Sequence, residues 1–269
     1  MCTRGIEVFY RSWFYNIGFH VPYQLKGNLL VKLIVIGKIR MNATRISVMI
    51  PAYNEERNIE DILTRTKATL TTLELPYEII VVDDGSTDRT ISLARRKGAM
   101  VIKVRKNRGK GFALRKAFRR AVGDILITMD ADGSHRPEEI PRLVTPLLNG
   151  ADVATGARFN GEMQKGSTKR LHILGNNIFN LIIMILTRKR ITDSQTGFRA
   201  FKKRVIDEIR FFSNGYEVET ELTVKTLKSG FTVYEIPIAF EKRKNGVSRI
   251  NPLFDGLKIM TTILKAYII

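Results

Sequence analysis

From Ile46 onward the chain reads as short apolar runs separated by polar turns and helix-spaced segments. Ile46-Ser47-Val48-Met49-Ile50 is a strand-like run closed by Pro51, followed by the polar turn Tyr53-Asn54-Glu55-Glu56. Asn58 to Leu70 then carries Ile59, Ile62, Leu63 and Leu70 at helical spacing, which predicts a first helix. Tyr77 to Val82 predicts a second strand, broken by Asp83-Asp84-Gly85-Ser86-Thr87-Asp88. Ser86 or Asp88 is positioned to cap the next helix, through Ile91, Leu93 and Ala94. Ala99 to Val104 predicts a third strand, Gly109-Lys110-Gly111-Phe112-Ala113-Leu114 opens another helix, and Ile125 to Met129 predicts a fourth strand. Such alternation implies crossover connections and a largely parallel α/β sheet. In these sheets ligands sit beyond the carboxyl ends of the strands.

The fourth strand runs straight into Asp130-Ala131-Asp132-Gly133-Ser134-His135. Side chains at i and i+2 share a face of an extended segment, so a turn after Met129 aims Asp130 and Asp132 together. Two converging carboxylates repel unless a cation sits between them. Hard oxygen ligands favour Mg²⁺ or Mn²⁺, which complete their shells with water and substrate phosphates. Taken singly, the other acidic turns have plain explanations. Glu55 and Glu56 suit the first turn of a helix through its dipole, and Asp83-Asp84-Gly85-Ser86 is ordinary turn chemistry. Three acid-bearing turns on one sheet edge point together to a nucleoside diphosphate ligand.

Pro51-Ala52-Tyr53-Asn54-Glu55-Glu56, Val82-Asp83-Asp84-Gly85-Ser86-Thr87-Asp88, Gly109-Lys110-Gly111 and Asp130-Ala131-Asp132-Gly133 resemble the signature set of family 2 inverting glycosyltransferases. Gly156-Ala157-Arg158-Phe159, Asp193-Ser194-Gln195-Thr196-Gly197-Phe198-Arg199 and Asn245-Gly246-Val247-Ser248-Arg249 narrow the resemblance to the dolichol-phosphate mannose synthase-like, polyprenyl-phosphate hexosyltransferase branch. The likeness covers about Arg45 to Asn251 and implies a GT-A fold, with a mostly parallel central sheet flanked by helices and amphipathic helices towards the C-terminus. By resemblance, Pro51, Tyr53, Glu55, Val82 and Asp84 hold the base and ribose of the donor, and Asp130 and Asp132, with Ala131 between them, form the metal-binding part. Arg158, Arg170 and Arg243 are implied to hold the phosphates and, with Asp132, to carry the chemistry, while Ser248 and Arg249 lie in a nearby flexible segment. Where relatives often have a glutamine two residues after the second aspartate, this chain has Ser134, and His135 is read as a helix-start residue before Pro137. Asp193 is expected to shape the site. The implied reaction moves a hexose from GDP-mannose or a UDP-sugar to dolichyl or another polyprenyl phosphate, with inversion. The alternative is transfer to a saccharide or other hydroxyl, which would need Glu217 or Glu219 as base; dipole compensation explains those acids equally well.

The chain has a formal charge of +19. That suits nucleic acid, anionic lipid or an anionic substrate, but no nucleic-acid module is visible, and a degraded metal pair, as in an inert binding protein, is not seen. Basic residues instead flank apolar segments. Lys165, Lys169 and Arg170 precede Leu171, Leu174, Ile178, Leu181, Ile182, Ile185 and Leu186; Leu257, Met260, Ile263, Leu264, Tyr267 and Ile268 recur near the C-terminus with Lys258 and Lys265 among them. Each segment reads either as a helix lying in a lipid headgroup region or as a helix packed on the protein's own core. No run reaches the roughly 18 apolar residues of a spanning helix, so peripheral association with the cytoplasmic face of a membrane is expected. The expected organisation is an extension over residues 1–40 (a mis-called start or an amphipathic anchor around Trp13), a transferase domain over 41–250, and a membrane-surface helix over 251–269. The single cysteine, Cys2, permits no intrachain disulfide.

Overall fold

The strand-like runs pair into one seven-stranded sheet, in a computed structural model that describes residues 44–164, 170–243, 245 and 252–269. The expectations for residues 1–40 lie outside the described residues. In chain order the elements are β1 (Ile46–Ala52), α1 (Ile59–Thr72), β2 (Tyr77–Asp83), α2 (Thr90–Arg96), β3 (Met100–Lys103), α3 (Lys110–Arg120), β4 (Ile125–Thr128) and α4 (Ile140–Leu148). They continue with β5 (Val153–Ala157), α5 (Arg170–Thr187), β6 (Arg199–Lys202), α6 (Lys203–Glu208), α7 (Val218–Lys228), β7 (Val233–Pro237) and α8 (Pro252–Ile268).

The sheet order is β3-β2-β1-β4-β6-β5-β7. The first four strands are parallel, β6 runs antiparallel between β4 and β5, and β7 is parallel to β5. β1 and β4 are buried along nearly their whole lengths, as strands covered on both faces by crossover helices must be. The chain winds outward from β1 through β2 to β3, then crosses back to place β4 on the other side of β1. The loops after β1 and β4 therefore part company at a topological switch point, where a crevice opens in sheets of this kind. The antiparallel β6 brings a second set of residues to the same edge. Its first residue, Arg199, pairs with Thr128 of β4 and with Thr155 of β5, and Pro237 at the end of β7 pairs with Ala157. The segments before β6 and after β4, β5 and β7 thus all arrive at one rim.

Helix periodicity explains what covers the sheet. α1 buries Ile59, Ile62, Leu63, Thr66 and Leu70 on one stripe, and α4 buries Ile140, Leu143, Val144 and Leu147. α3 buries Ala113, Leu114, Ala117 and Phe118 in a core with Ile80, Val82, Leu126, Phe201 and Leu222. A second core joins three helices: Phe179 and Ile183 of α5, Val224 and Leu227 of α7, and Ile259, Ile263 and Ala266 of α8. Each such large apolar side chain contributes about 1.5–3 kcal/mol on burial, so α5 and α8 are docked by one face each. The other faces are exposed. The N-cap of α2 is Arg89, which makes no side-chain cap bond; just ahead of it Asp88 Oδ1 accepts the N–H of Thr90 at 3.0 Å, and Ser86 is used elsewhere, its Oγ accepting the N–H of Asn54.

The start of α3 is fixed by contact with the segment before α7. Gly109 has φ of +99°, and a Cβ at Gly109 or Gly111 would overlap the Asn214 or Ser213 carbonyl oxygen. Gly111→Ala should therefore lower unfolding free energy by about 1–3 kcal/mol through overpacking. A lowered urea midpoint with unchanged m-value is the expected reading.

Candidate active site

The rim is assembled by hydrogen bonds between loops. The Asn54 N–H donates to Ser86 Oγ, Thr87 donates its N–H to Asn54 Oδ1, the Glu55 N–H donates to Thr90 Oγ1, and the Glu56 N–H donates to Asp88 Oδ2, all within 2.8–3.1 Å. Asn54 takes φ of +55°, a conformation that asparagine tolerates. Asp84 joins a third loop: its carboxylate accepts the N–H of Arg108 at 3.0 Å and of Gly109 at 2.7 Å. Burial pushes its pKa up, against the pull of those donors. Pro51 lies within β1 opposite Val82 of β2. Pro51 and Tyr53 are partly exposed beside Glu55. The Val82 side chain is fully buried in the core, because strand alternation turns it away from the rim, so contact with a donor there would run through its backbone. Ala131 is likewise buried.

Beyond β4 the two aspartates meet different cations. Lys110, at the start of α3, forms an ion pair with Asp130 Oδ1, and its Nζ is also 2.6 Å from Glu219 Oε1 on α7. Burial opposes the charge on Asp130, but Lys110 and His135 outweigh it and hold the carboxyl far below the usual range. Burial likewise opposes the Lys110 ammonium, and Asp130 and Glu219 more than reverse that. Burial raises the pKa of Glu219, with Lys110 pulling the other way. Gly197 completes this packing, since a Cβ there would lie 2.6 Å from Lys110 Nζ and 2.7 Å from Asp130 Oδ2. Asp132 accepts the Ser134 N–H at 3.0 Å and the Ser134 hydroxyl at 2.5 Å on Oδ1; on Oδ2 it accepts Arg243 Nε at 3.1 Å and Nη2 at 2.7 Å. Ser134 thus orients the second aspartate.

His135 stands where expected, just ahead of a short 3-10 helix over Pro137–Glu139, and is also buried, with its ring 5.2 Å from Phe198 and 5.3 Å from Phe240 and its Nε2 3.5 Å from Asp130 Oδ2. Arg158 is engaged by a buried partner: Nε and Nη2 donate to the two oxygens of Asp193 at 2.7 and 2.8 Å, and Phe240 lies under its guanidinium. Asp193 therefore shapes the rim by fixing Arg158. Arg199, which sequence reasoning left without a role, is wholly buried and donates to the carbonyls of Ser194 and Thr196 and to Thr223 Oγ1. Burial lowers its pKa to about 10, so it remains charged at neutral pH. Of Arg170 the structure describes the backbone in the first turn of α5, while Ser248 and Arg249 lie outside the described residues.

The acids before and within α7 have individual tasks. Glu217 accepts the Gly215 N–H, Glu219 pairs with Lys110, and Glu221 accepts the N–H groups of Phe212 and Ser213. The pairing of Lys110 with Glu219 is one that spacing could not reveal; the lysine in Gly109-Lys110-Gly111 was the available signal. Glu55 is different. Its Oε2 accepts Asn58 Nδ2 at 2.7 Å, and its pKa is raised to about 7, chiefly by burial, with Asn58 and Arg243 opposing and Asp132 and Asp130 adding to the rise. Asn58 in turn accepts Asn245 Nδ2 at 3.0 Å, tying the segment after β7 across the β1 loop.

The donor set at the rim fits a hard divalent cation. Asp130 and Asp132 supply carboxylate oxygens one residue apart beside two cationic side chains that already balance negative charge. Among the described residues no cluster of three or more His, Cys, Asp or Glu is arranged to hold a metal. The remaining ligands would come from phosphate and water, as is usual for Mg²⁺ and Mn²⁺.

Residues 47–210 match the glycosyl transferase family 2 model. An uncharacterized protein of Methanocaldococcus jannaschii is 34% identical over 83% of this chain and 93% of its own length. A dolichol-phosphate mannosyltransferase of Pyrococcus furiosus is 33% identical over 82% of this chain, and an undecaprenyl-phosphate 4-deoxy-4-formamido-L-arabinose transferase of Pseudomonas fluorescens is 32% identical over 81%. The chain spans 64% and 65% of those two longer proteins. Among solved structures, a mycobacterial protein superposes with a TM-score of 0.70 at 24% identity, covering 87% of this chain and 78% of that one. Glucosyl-3-phosphoglycerate synthase from Mycobacterium tuberculosis, in complex with Mn²⁺, UDP and glucosyl-3-phosphoglycerate, gives 0.67 at 24%, covering 93% and 87%. The fold is thus the GT-A fold of nucleotide-sugar enzymes. The chain belongs to glycosyl transferase family 2 and is a glycosyltransferase.

Two measurements test the charge arrangement. Lys110→Met leaves Asp130 and Glu219 facing each other uncompensated and should cost about 3–5 kcal/mol of unfolding free energy; adding Glu219→Gln should restore part of it. A double-mutant cycle in urea with no coupling between the two sites would refute the pairing. For metal-free protein, the raised pKa of Glu55 means that the folded state binds more protons than the unfolded one between about pH 4.5 and 7. Its contribution is complete below the lower value and is lost as pH rises through the upper one. Glu55→Gln should flatten the stability decline across that window, and an unchanged profile would contradict the assignment.

Proposed function

We propose that this enzyme moves a hexose from a nucleoside diphosphate sugar to dolichyl or another polyprenyl phosphate at a membrane surface, with Mg²⁺ or Mn²⁺. The observation that carries this is that Asp130 and Asp132 both follow β4 at the switch-point rim and both lie within electrostatic reach of Glu55, with Arg243 on Asp132. Relatives named for lipid-phosphate acceptors support the acceptor class. The donor is mannose from GDP-mannose, or glucose or N-acetylglucosamine from a UDP-sugar.

An acceptor phosphate is already ionised at neutral pH, so its oxygen can attack the anomeric carbon without a strong general base. The new carbon–oxygen bond forms as the bond to the nucleoside diphosphate breaks; the diphosphate departs with the electron pair, and in-line attack inverts the anomeric centre. A divalent cation held by Asp130 and Asp132 would act as a Lewis acid towards the leaving diphosphate. Arg243 is placed to meet phosphate charge, and Arg170 and Arg249 are assigned there by resemblance. Arg158, fixed by Asp193, contributes its field at the rim more than a free fork. Pro51, Tyr53, Glu55 and Asp84 line or brace the donor end.

The two half-docked helices support the membrane setting. On α5, Leu174, Ile178, Leu181 and Ile185 form an exposed stripe, and on α8 Phe254, Leu257, Leu264 and Ile268 do the same. Leu257 is 70% exposed and Ile185 66%, positions that suit an interface of headgroups and acyl chains. No described helix is long and apolar enough to cross a membrane. Nucleotide sugars are supplied from the cytoplasm, which places the proposed work on the cytoplasmic face.

A labelled-sugar transfer assay with short polyprenyl phosphate and either metal should deliver label to the organic phase with one of GDP-mannose, UDP-glucose or UDP-N-acetylglucosamine. Asp130→Asn should reduce that transfer by at least about a hundredfold, the scale of losing a key electrostatic stabiliser. Full activity in the variant would remove the metal assignment. Transfer only to a hydroxyl acceptor would remove the lipid-phosphate reading.

A further inference from the structure

A cleft of about 560 Å³ lies between α8 and the loops over residues 107–109 and 212–217. Arg108, Asn214, Glu217, Lys258, Thr262 and Lys265 are among its walls, and Asp130, Asp132, Glu55 and Arg243 are not. Three cations face one carboxylate, and that carboxylate accepts the Gly215 N–H at 3.0 Å. Among the described residues Arg108, Lys258 and Lys265 make no ion pair. The Arg108 guanidinium rests on the Phe112 ring at 4.1 Å, and Lys258 Nζ is 4.4 Å from the Phe254 ring centre. The cleft is thus concave, cationic and supplied with hydroxyl and amide donors from Thr262 and Asn214.

Its position on the helix identifies the ligand class. Lys258 and Lys265 each follow a member of the exposed apolar stripe, Leu257 and Leu264, so they stand about 100° further round α8. One edge of the helix is therefore apolar, the next carries the two lysines, and the cleft opens beyond them. That sequence of surfaces matches the cross-section of a lipid monolayer, with acyl chains meeting apolar side chains and phosphates meeting lysines one layer out.

We propose that this cleft binds the phosphate headgroup of an anionic phospholipid, and so sets how α8 sits on the membrane. The proposal rests on the membrane setting above but not on which sugar is transferred. The headgroup phosphate lies between Lys258, Lys265 and Arg108, and the adjoining stripe enters the acyl region. The interaction is reversible and involves no covalent step.

The test is vesicle sedimentation of the full chain, comparing pure phosphatidylcholine with phosphatidylcholine–phosphatidylglycerol. Anionic vesicles should bind more tightly, and Lys258→Ala/Lys265→Ala should weaken that binding about 25-fold, about fivefold for each lysine. Binding to pure phosphatidylcholine should be unaffected. A charge-matched control, Lys67→Ala/Lys97→Ala, removes exposed lysines of the α1–α2 side and should change binding about twofold or less, since it leaves the cleft intact. Equal losses in both pairs would show attraction by net charge alone and overturn the site, as would an unchanged cleft variant. Inorganic phosphate, GDP or UDP should leave the protein on the vesicles; release by any of them would mark a free-anion or donor site instead. Transfer to short polyprenyl phosphate in detergent should stay within about twofold in the cleft variant, the scale of surface changes away from the reacting groups. A larger loss would place the lysines in the transfer site and overturn the headgroup assignment. If the wild-type chain transfers no sugar while the vesicle pattern holds, the transferase reading fails and this one stands.

Discussion

Two carboxylates at the inner end of the crevice, Asp130 after β4 and Glu219 on α7, share one ammonium, Lys110 at the start of α3. Buried like charges cannot both stay ionised without a compensating cation, so the geometry of three elements is tied to where that ammonium lies. It is held there by close backbone contact. Gly109 and Gly111 allow the start of α3 to press against residues 213–215, while Gly197 leaves room for the Lys110–Asp130 pair. A methyl group at any of the three would separate charges that stabilise one another only at contact distance.

The same logic sorts the basic residues of a very basic chain. Arg199 is consumed within the fold, where it holds the Ser194 and Thr196 carbonyls of the turn that contains Gly197. Arg158 is held by Asp193 at the rim, with its side chain largely buried. Arg243 is half-buried and bound to Asp132, with Glu55 and Tyr216 within electrostatic reach. Lys258 and Lys265 face outward from α8. From the interior to the surface, positive charge passes from organising backbone, to orienting carboxylates, to being available for an external anion. A formal charge of +19 thus says less than the depth at which each cation sits.

The parallel core was legible because its signals are local. Ile46 to Ile50 and Ile125 to Met129 are unbroken apolar runs with turn residues after them, and α1 shows its buried stripe directly in the spacing of Ile59, Ile62, Leu63 and Leu70. The i, i+2 spacing of Asp130 and Asp132 was legible for the same reason. The electrostatic partners were not, because pairing across 35 residues, as in Arg158–Asp193, or from Lys110 to Glu219 leaves no trace in spacing. Glu219 read as a helix-dipole acid because its position in the first turn of α7 satisfies that rule too. Val82 belonged to a motif whose neighbours face the rim, yet strand alternation sends its own side chain into the core. His135 sits before a proline, a familiar helix-start context, and only the approach of Phe240 from beyond β7 encloses it.

The partners of the acids around α7 bear on the acceptor. A general base for a hydroxyl needs a carboxylate with an oxygen free to take the proton, at a pKa suited to that task. Glu221 is committed through both oxygens to the backbone of Phe212 and Ser213 and to Lys225, while Glu217 gives one oxygen to Gly215 and Glu219 gives one to Lys110. Freeing Glu219 would expose the Lys110–Asp130 pair to rearrangement at the crevice. A phosphate acceptor needs none of this, since it brings its own ionised nucleophile and asks the protein for positive charge. Arg243 at the rim and the exposed apolar faces of α5 and α8 are the features such an acceptor would use at its two ends.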